Sequence, residues 1–261
     1  LYYFADTRWA DHWERFDLEI RLYVDHYLYH ADFEYDSGVD DPATVMNHDR
    51  GNSDALGAQL QANFQASRGL RLSFGAELEH AFSVGQNNHD VVVYLDDEHT
   101  TTSGGLFAQG EWDIVPALSL NAALRLDGYD TFGFELSPRA ALIVGPSDET
   151  TFKLLAGRAF RAPNQYELHY ANVDVAKPAG ELDPEHIESY EIVWEQRIAE
   201  PLRAVVSGFH WRMSDLIEYG VDPADGLSTF TNRGSATAWG FEAQLDASWL
   251  DGPAGALSYS F

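Results

Sequence analysis

The sequence predicts an all-β chain, an antiparallel up-and-down sheet forming the wall of a transmembrane β-barrel. Three observations predict it. Hydrophobicity alternates with a period of two along most of the 261 residues, the mark of strands with one wet and one apolar face. Short and long connections take turns along the chain, as they do between the inner and outer rims of an outer-membrane barrel. Trp13, Trp112 and Trp249 all stand beside expected short turns, one level where an interfacial aromatic girdle belongs.

Five stretches carry the alternation most clearly. Phe16, Leu18, Ile20, Leu22 and Val24 are interleaved with Asp17, Glu19, Arg21 and Asp25. Leu56 to Phe64 alternates with Gln59, Gln61 and Asn63, and Leu72 to Leu78 with Ser73, Glu77 and Glu79. Leu120 to Leu126 opposes Asn121, Arg125 and Asp127, and Phe241 to Trp249 opposes Glu242, Gln244, Asp246 and Ser248. Tight turns are expected at 66–69, 115–117, 145–150, 199–201 and 250–254. Longer connections are expected at 36–52, 85–100, 161–186 and 214–228, with 130–133 as a short outer loop. The pattern gives about a dozen strands. With lipid outside and water within, Leu72, Phe74, Leu124, Phe241 and Leu245 face outward, and Glu77, Glu79, Arg125, Glu242 and Asp246 face the lumen.

Composition narrows the function. Against 42 acidic residues stand 16 basic ones, for a formal charge of −26. A surface so acidic excludes nucleic acid as partner, since phosphate binding needs a basic one. It suits cationic or metal-bearing ligands or a salty habitat, with a solvated acidic lumen and acidic loops as the plainer reading. Without Cys there is no disulfide and no thiolate chemistry. No apolar run of about 18 residues forms a transmembrane helix. The opening LYYFADTRWADHWERF lacks a basic and then apolar leader, so if the protein is exported the chain is expected to be a mature or internal piece. No nucleophile elbow, phosphate loop or HExxH motif occurs; no enzyme is expected, and no cofactor.

The stretch from Gly157 to Glu195 organises the rest. A strand ends at FRAPN, Phe160 to Asn164, because Pro163 has no N–H for a ladder. A polar and aromatic loop follows, and the next strand opens after LDPE, Leu182 to Glu185. Phe160, Arg161, Ala162 and Pro163, with Glu167 and Leu168 behind them, resemble the FRAP segment of TonB-dependent outer-membrane receptors. Leu182, Pro184 and Glu185 match the family's NPNLKPE-like segment, and Tyr190 and Glu191 the strand after it. Ala179, Gly180, Glu181 and Asp183 depart from it. Asn232, Gly234, Ala236, Gly240 and Glu242 match its N-x-G-x-A-x-x-x-G-x-E segment. The likeness runs from about Asn52 to the end.

The resemblance implies a bacterial cell outer-membrane receptor, monomeric at full length, for energised uptake of a scarce nutrient such as a ferric siderophore, haem or cobalamin. Its partners would be outer-membrane lipid, a metal chelate or similar small molecule, and the TonB complex acting through a plug. Family barrels have 22 strands. Residues 1–261 are therefore expected to be a partial barrel, about half, without plug or TonB box: an open curled sheet. A porin-like passive channel is the alternative, and a soluble β-sandwich binding module the next.

Ligand contacts are expected from the long-loop side, at Tyr94, Arg161, Tyr166, His169 and Tyr170. Pairing with rim carboxylates is the other reading of Arg161. Haem receptors of the family place a His between the two loop segments, where His169 lies, and an imidazole can ligate haem iron. A loop cluster of His89, Asp90, Tyr94, Asp96, Asp97, Glu98 and His99 offers oxygen ligands for calcium at Asp96, Asp97 and Glu98, against a plainly solvated loop. Asp36, Asp40, Asp41, His48 and Asp49 form a second such cluster.

Overall fold

A computed structural model describes residues 1–36, 38, 44–172, 175–250 and 252–261. Among the described residues, twelve strands follow one another as a meander in one sheet, each hydrogen-bonded to its neighbours in sequence. The first half comprises β1 (Tyr2–Trp13), β2 (Phe16–Asp36), β3 (Thr44–Ser67), β4 (Leu70–His89), β5 (Val93–Val115) and β6 (Leu118–Tyr129). The second comprises β7 (Gly133–Ser147), β8 (Thr150–Arg161), β9 (Glu185–Ala199), β10 (Leu202–Val221), β11 (Ser228–Ser248) and β12 (Ala254–Ser260). A short helix, α1 (Gln165–His169), lies between β8 and β9. β1 and β12 are the two edges of the sheet, which does not close on itself.

Register divides the side chains into two faces. Leu18, Ala62, Phe74, Ala108, Leu124 and Pro138 form one cross-strand row. Leu142, Leu154, Ile192, Gly208 and Phe241 form another on the same face. The opposite face carries a row of Arg21, Gln59, Glu77, Gly105, Asp127 and Glu135. All ten residues expected to split between lipid and lumen fall on separate faces accordingly. The apolar band spans about nine residues per strand, for example Phe16 to Val24 and Leu56 to Phe64, the length a tilted strand needs to cross a bilayer. Trp13, Trp112 and Trp249 sit at the short-turn ends and are about half exposed.

The strands run well past that band. The expected loops at 85–100 and 214–228 are mostly strand: β4 reaches His89 and β5 begins at Val93, while β10 reaches Val221 and β11 begins at Ser228. The expected loop at 36–52 likewise gives way to strand from Thr44 onward. β3, at 24 residues, spans about 80 Å at the usual rise, against an apolar band of about 25 Å. Outside the membrane both faces of a hairpin meet water. The polar alternation therefore vanishes although the backbone ladder continues.

The polar face is held by charge. Arg125 Nε donates to both oxygens of Asp127, at 2.9 Å each, and Nη2 donates to Asp127 Oδ1 at 2.6 Å and to Glu77. Asp127 is almost wholly buried. The guanidinium crosses β5 at Gly105, where a Cβ would stand 2.6 Å from Nη2 and 2.7 Å from Asp127 Oδ1. A side chain there would push the guanidinium and the carboxylate aside.

Candidate functional site

The long connection from β8 to β9 is the one extended piece of chain outside the sheet among the described residues, and the FRAPN and LDPE segments are its two hinges. Phe160 packs edge-on against Tyr129 and Phe132. Arg161 Nε donates to Glu185 Oε2 at 2.6 Å, while Nη1 and Nη2 donate to the two oxygens of Glu167 at 2.9 Å. A planar fork between two carboxylates is a geometry that Lys does not reproduce. Asn164 and Glu167 cap α1 reciprocally: Asn164 Oδ1 accepts from Glu167 N at 2.8 Å and Glu167 Oε2 from Asn164 N at 2.9 Å. Pro163, Leu168, Ala176, Leu182 and Pro184 are buried, so the segment has a small core of its own.

Asn232 on β11 secures its far end. Its Nδ2 donates to the carbonyls of Asp183, at 2.8 Å, and Asp215, at 2.7 Å, and its Oδ1 accepts from Asp183 N at 2.9 Å. Asp215 lies in a bulge of β10 with φ of 57°, a left-handed conformation that Asp tolerates better than most residues. Val175 and Lys177 add backbone bonds to Ser228 at 2.9 Å. Lys177 Nζ reaches Asp222 and Asp225 in the β10–β11 turn, at 2.6 Å each. Those bonds hold both carboxyls below the usual carboxylate range. Asn232→Ala removes three bonds at once. It is expected to weaken docking of the segment by about 2 kcal/mol, read as faster hydrogen exchange at Asp183 with the barrel amides unchanged.

Docked in this way, the segment crosses the polar face from β10–β11 to β3–β5. Tyr166 and Tyr170 pack on each other at 4.6 Å between centroids and on Phe230 and Tyr219. Between the segment and the wall lies a cavity of about 370 Å³, lined by Tyr29, Gln86, Tyr94, Tyr166 and Tyr170 among others. Three of the five expected ligand residues therefore converge on it. A larger concavity of about 660 Å³ is lined mainly by apolar residues such as Leu142, Leu154 and Ile192 and has few convergent polar groups; it is a groove of the wall.

The other two lie apart from the cavity lining. Arg161 is occupied by Glu185 and Glu167. His169 leans on β5, its ring stacked on His99 at 3.7 Å. Burial first, and the neighbouring His99 second, push its imidazole below the ordinary histidine pKa. The calcium trio does not come together. Asp96, Asp97 and Glu98 are consecutive on β5, so Asp97 faces the segment while Asp96 and Glu98 face away, meeting Asn87 at 3.1 Å and Ser83 at 3.1 Å. Of the second acidic cluster, Asp40 and Asp41 lie outside the described residues; His48 pairs with Asp32 at 2.6 Å. Residues whose importance composition and spacing did not suggest are Tyr29, Gln86, Tyr219 and Phe230, whose contribution depends on where the segment lands.

The family model for "TonB dependent receptor-like, beta-barrel" matches residues 2–261. The chain belongs to the TonB-dependent receptor family. That family is one of outer-membrane transport receptors rather than enzymes. No curated protein matches the chain. Among solved structures, a variant of the ferric enterobactin receptor PfeA from Pseudomonas aeruginosa is 19% identical with a TM-score of 0.81, and covers 99% of this chain and 43% of its own. The copper transporter OprC is 15% identical with a TM-score of 0.77, covering 99% and 46%. The FrpB iron transporter from Neisseria meningitidis is 16% identical with a TM-score of 0.69, covering 98% and 44%. The chain thus spans less than half the length of each of these TonB-dependent receptors. At such identities the likeness is one of fold.

Proposed function

We propose that this chain supplies wall and ligand-gripping parts to an outer-membrane receptor that captures a scarce nutrient at the cell surface. Import would be energised by the TonB complex acting through a plug carried elsewhere in a full-length, monomeric receptor. The ligand class is a metal chelate or a similar compact molecule: a ferric siderophore, haem or cobalamin. The observation that carries this reading is the tethered segment between β8 and β9. It holds Tyr166 and Tyr170 over the polar face, opposite Tyr29 and Tyr94. Aromatic walls with a few convergent polar groups are what a compact ligand needs for grip and orientation. The proteins of similar fold described above carry ferric enterobactin, copper and iron in their names, which agrees with a metal-bearing cargo.

The test is ligand binding by the full-length receptor, with a ferric catecholate, a ferric hydroxamate, haem and cobalamin compared by fluorescence quenching. One of them is expected to bind, and Tyr166→Ala and Tyr170→Ala each to weaken it about tenfold, or about 1.4 kcal/mol. His169→Ala, measured alongside, separates haem from the other ligands. If no compound binds, or if both Tyr variants bind like the wild type, the cavity is not the capture site.

A further inference from the structure

Where the segment leans on β5, three donor-bearing side chains meet. His99 Nε2 lies 2.5 Å from Asp97 Oδ2, and His169 Nδ1 lies 3.8 Å from the same oxygen. The imidazole planes of His99 and His169 stack at 27°. One donor atom from each residue falls within 4.8 Å of the others. Asp97 Oδ2 and His99 Nε2 are shielded from water and have no hydrogen-bond partner, each other included. Their 2.5 Å contact is an ion pair when His99 is protonated, but it lacks hydrogen-bond geometry. A cation shared by the two would satisfy both.

We propose that Asp97, His99 and His169 bind a divalent late first-row transition-metal ion of the zinc class, joining the β8–β9 segment to the wall. Donors around a tetrahedral zinc ion stand about 3.4 Å apart, given bonds of about 2.0–2.2 Å, and the observed spacings bracket that distance. Two imidazoles and one carboxylate suit zinc, cobalt, nickel or copper, whereas calcium and magnesium require oxygen ligands throughout. Asp97 and His99 share a face because they are two apart on β5, and His169 is delivered by the last turn of α1. The site therefore exists only when the segment is docked, and an ion bound there holds it docked.

A second trio, His30, Asp32 and His48, offers the same donor types on the opposite face. There His30 Nε2 and His48 Nδ1 both engage Asp32 Oδ1, at 3.1 and 2.6 Å. These donors satisfy one another and leave none orphaned. They serve as the control.

The inference shares His169 with the haem arm of the test above, so its own test uses zinc chloride and cobalt chloride alone. Full-length receptor in detergent, stripped with a chelator, is titrated by calorimetry with zinc, and by visible absorption with cobalt. A saturable zinc site and cobalt d–d bands are expected. His99→Ala and His169→Ala should each weaken zinc at least tenfold and remove the bands, while His48→Ala leaves both unchanged. His169 lies outside the sheet, so its loss does not disturb the ladder; heat-modifiable migration in gels verifies folding of each variant. Zinc should also slow hydrogen exchange at Leu168 and Tyr170 in the wild type and not in His99→Ala. Zinc affinity unaltered in both His99→Ala and His169→Ala, or lost in His48→Ala instead, overturns the assignment.

Discussion

Replacing Arg125 by Met is expected to destabilise the folded receptor by about 3 kcal/mol, the lower end of the range for breaking a buried ion pair. The lower end applies because the Arg125 side chain is 35% exposed and water screens part of the field. Asp127 is then left buried without a cation, and Glu77 loses its nearest one. The double variant Arg125→Met, Asp127→Leu should recover most of the loss, since the penalty comes from the orphaned carboxylate rather than from the missing bond. Urea unfolding of the full-length receptor in phospholipid measures both. A single variant as stable as the wild type would show that Asp127 folds protonated or hydrated, and that the guanidinium contributes nothing.

A charge on the other face acts through a different solvent. Leu124 sits mid-way along its apolar stretch, between Ala108 and Pro138 in the cross-strand row, and is about half exposed. Leu124→Arg is expected to cost about 2–4 kcal/mol in lipid, the range for a cation at the midplane of a barrel. Gln109→Arg, one strand away on the polar face, should stay within about 0.5 kcal/mol. The same unfolding assay compares them. Equal costs for the two substitutions would mean that register does not separate lipid from water here, and the reading of a membrane wall would fall.

The strands and their order were legible because the bilayer imposes a hard contrast. Leu120 to Leu126 alternates cleanly since every second residue meets hydrocarbon. The turns at 68–69, 116–117 and 200–201 were legible from Gly, Pro and charge. The extensions beyond the bilayer were not. His80 to His89 and Val93 to Thr102 pair as a hairpin without any hydrophobic period, since nothing outside the membrane asks for one. The candidate site was legible by half. Tyr94, Tyr166 and Tyr170 were marked by residue type and by lying near the outer ends. That Arg161 would be consumed by Glu167 and Glu185 depends on the turn made at Pro163, and that Asp97 would part from Asp96 and Glu98 depends on β5 continuing where a loop was expected. Asn232 stood out only through its family segment; its task of joining Asp183 to the bulge at Asp215 is a matter of tertiary geometry.

The ungapped pairing of β6 with β7, from Leu118 opposite Val144 to Tyr129 opposite Gly133, bears on how the gene can change in length. Deleting one codon inside β6 would exchange the places of Leu124 and Arg125, because a one-residue slip turns every side chain to the other face. Arginine would then enter hydrocarbon and leucine the lumen, along with every residue up to the next turn. Deleting two codons keeps the faces and only lowers the strand by about 7 Å. Single-residue insertions and deletions are therefore confined to the turns and to places where the ladder already skips, as between Asp54 and Ala55, Ala81 and Val84, or Met213 and Leu216. Such bulges absorb an odd residue without passing the shift along. Within the bilayer this wall can lengthen or shorten only in steps of two; beyond it, where both faces are wet, the reading frame of the faces no longer matters.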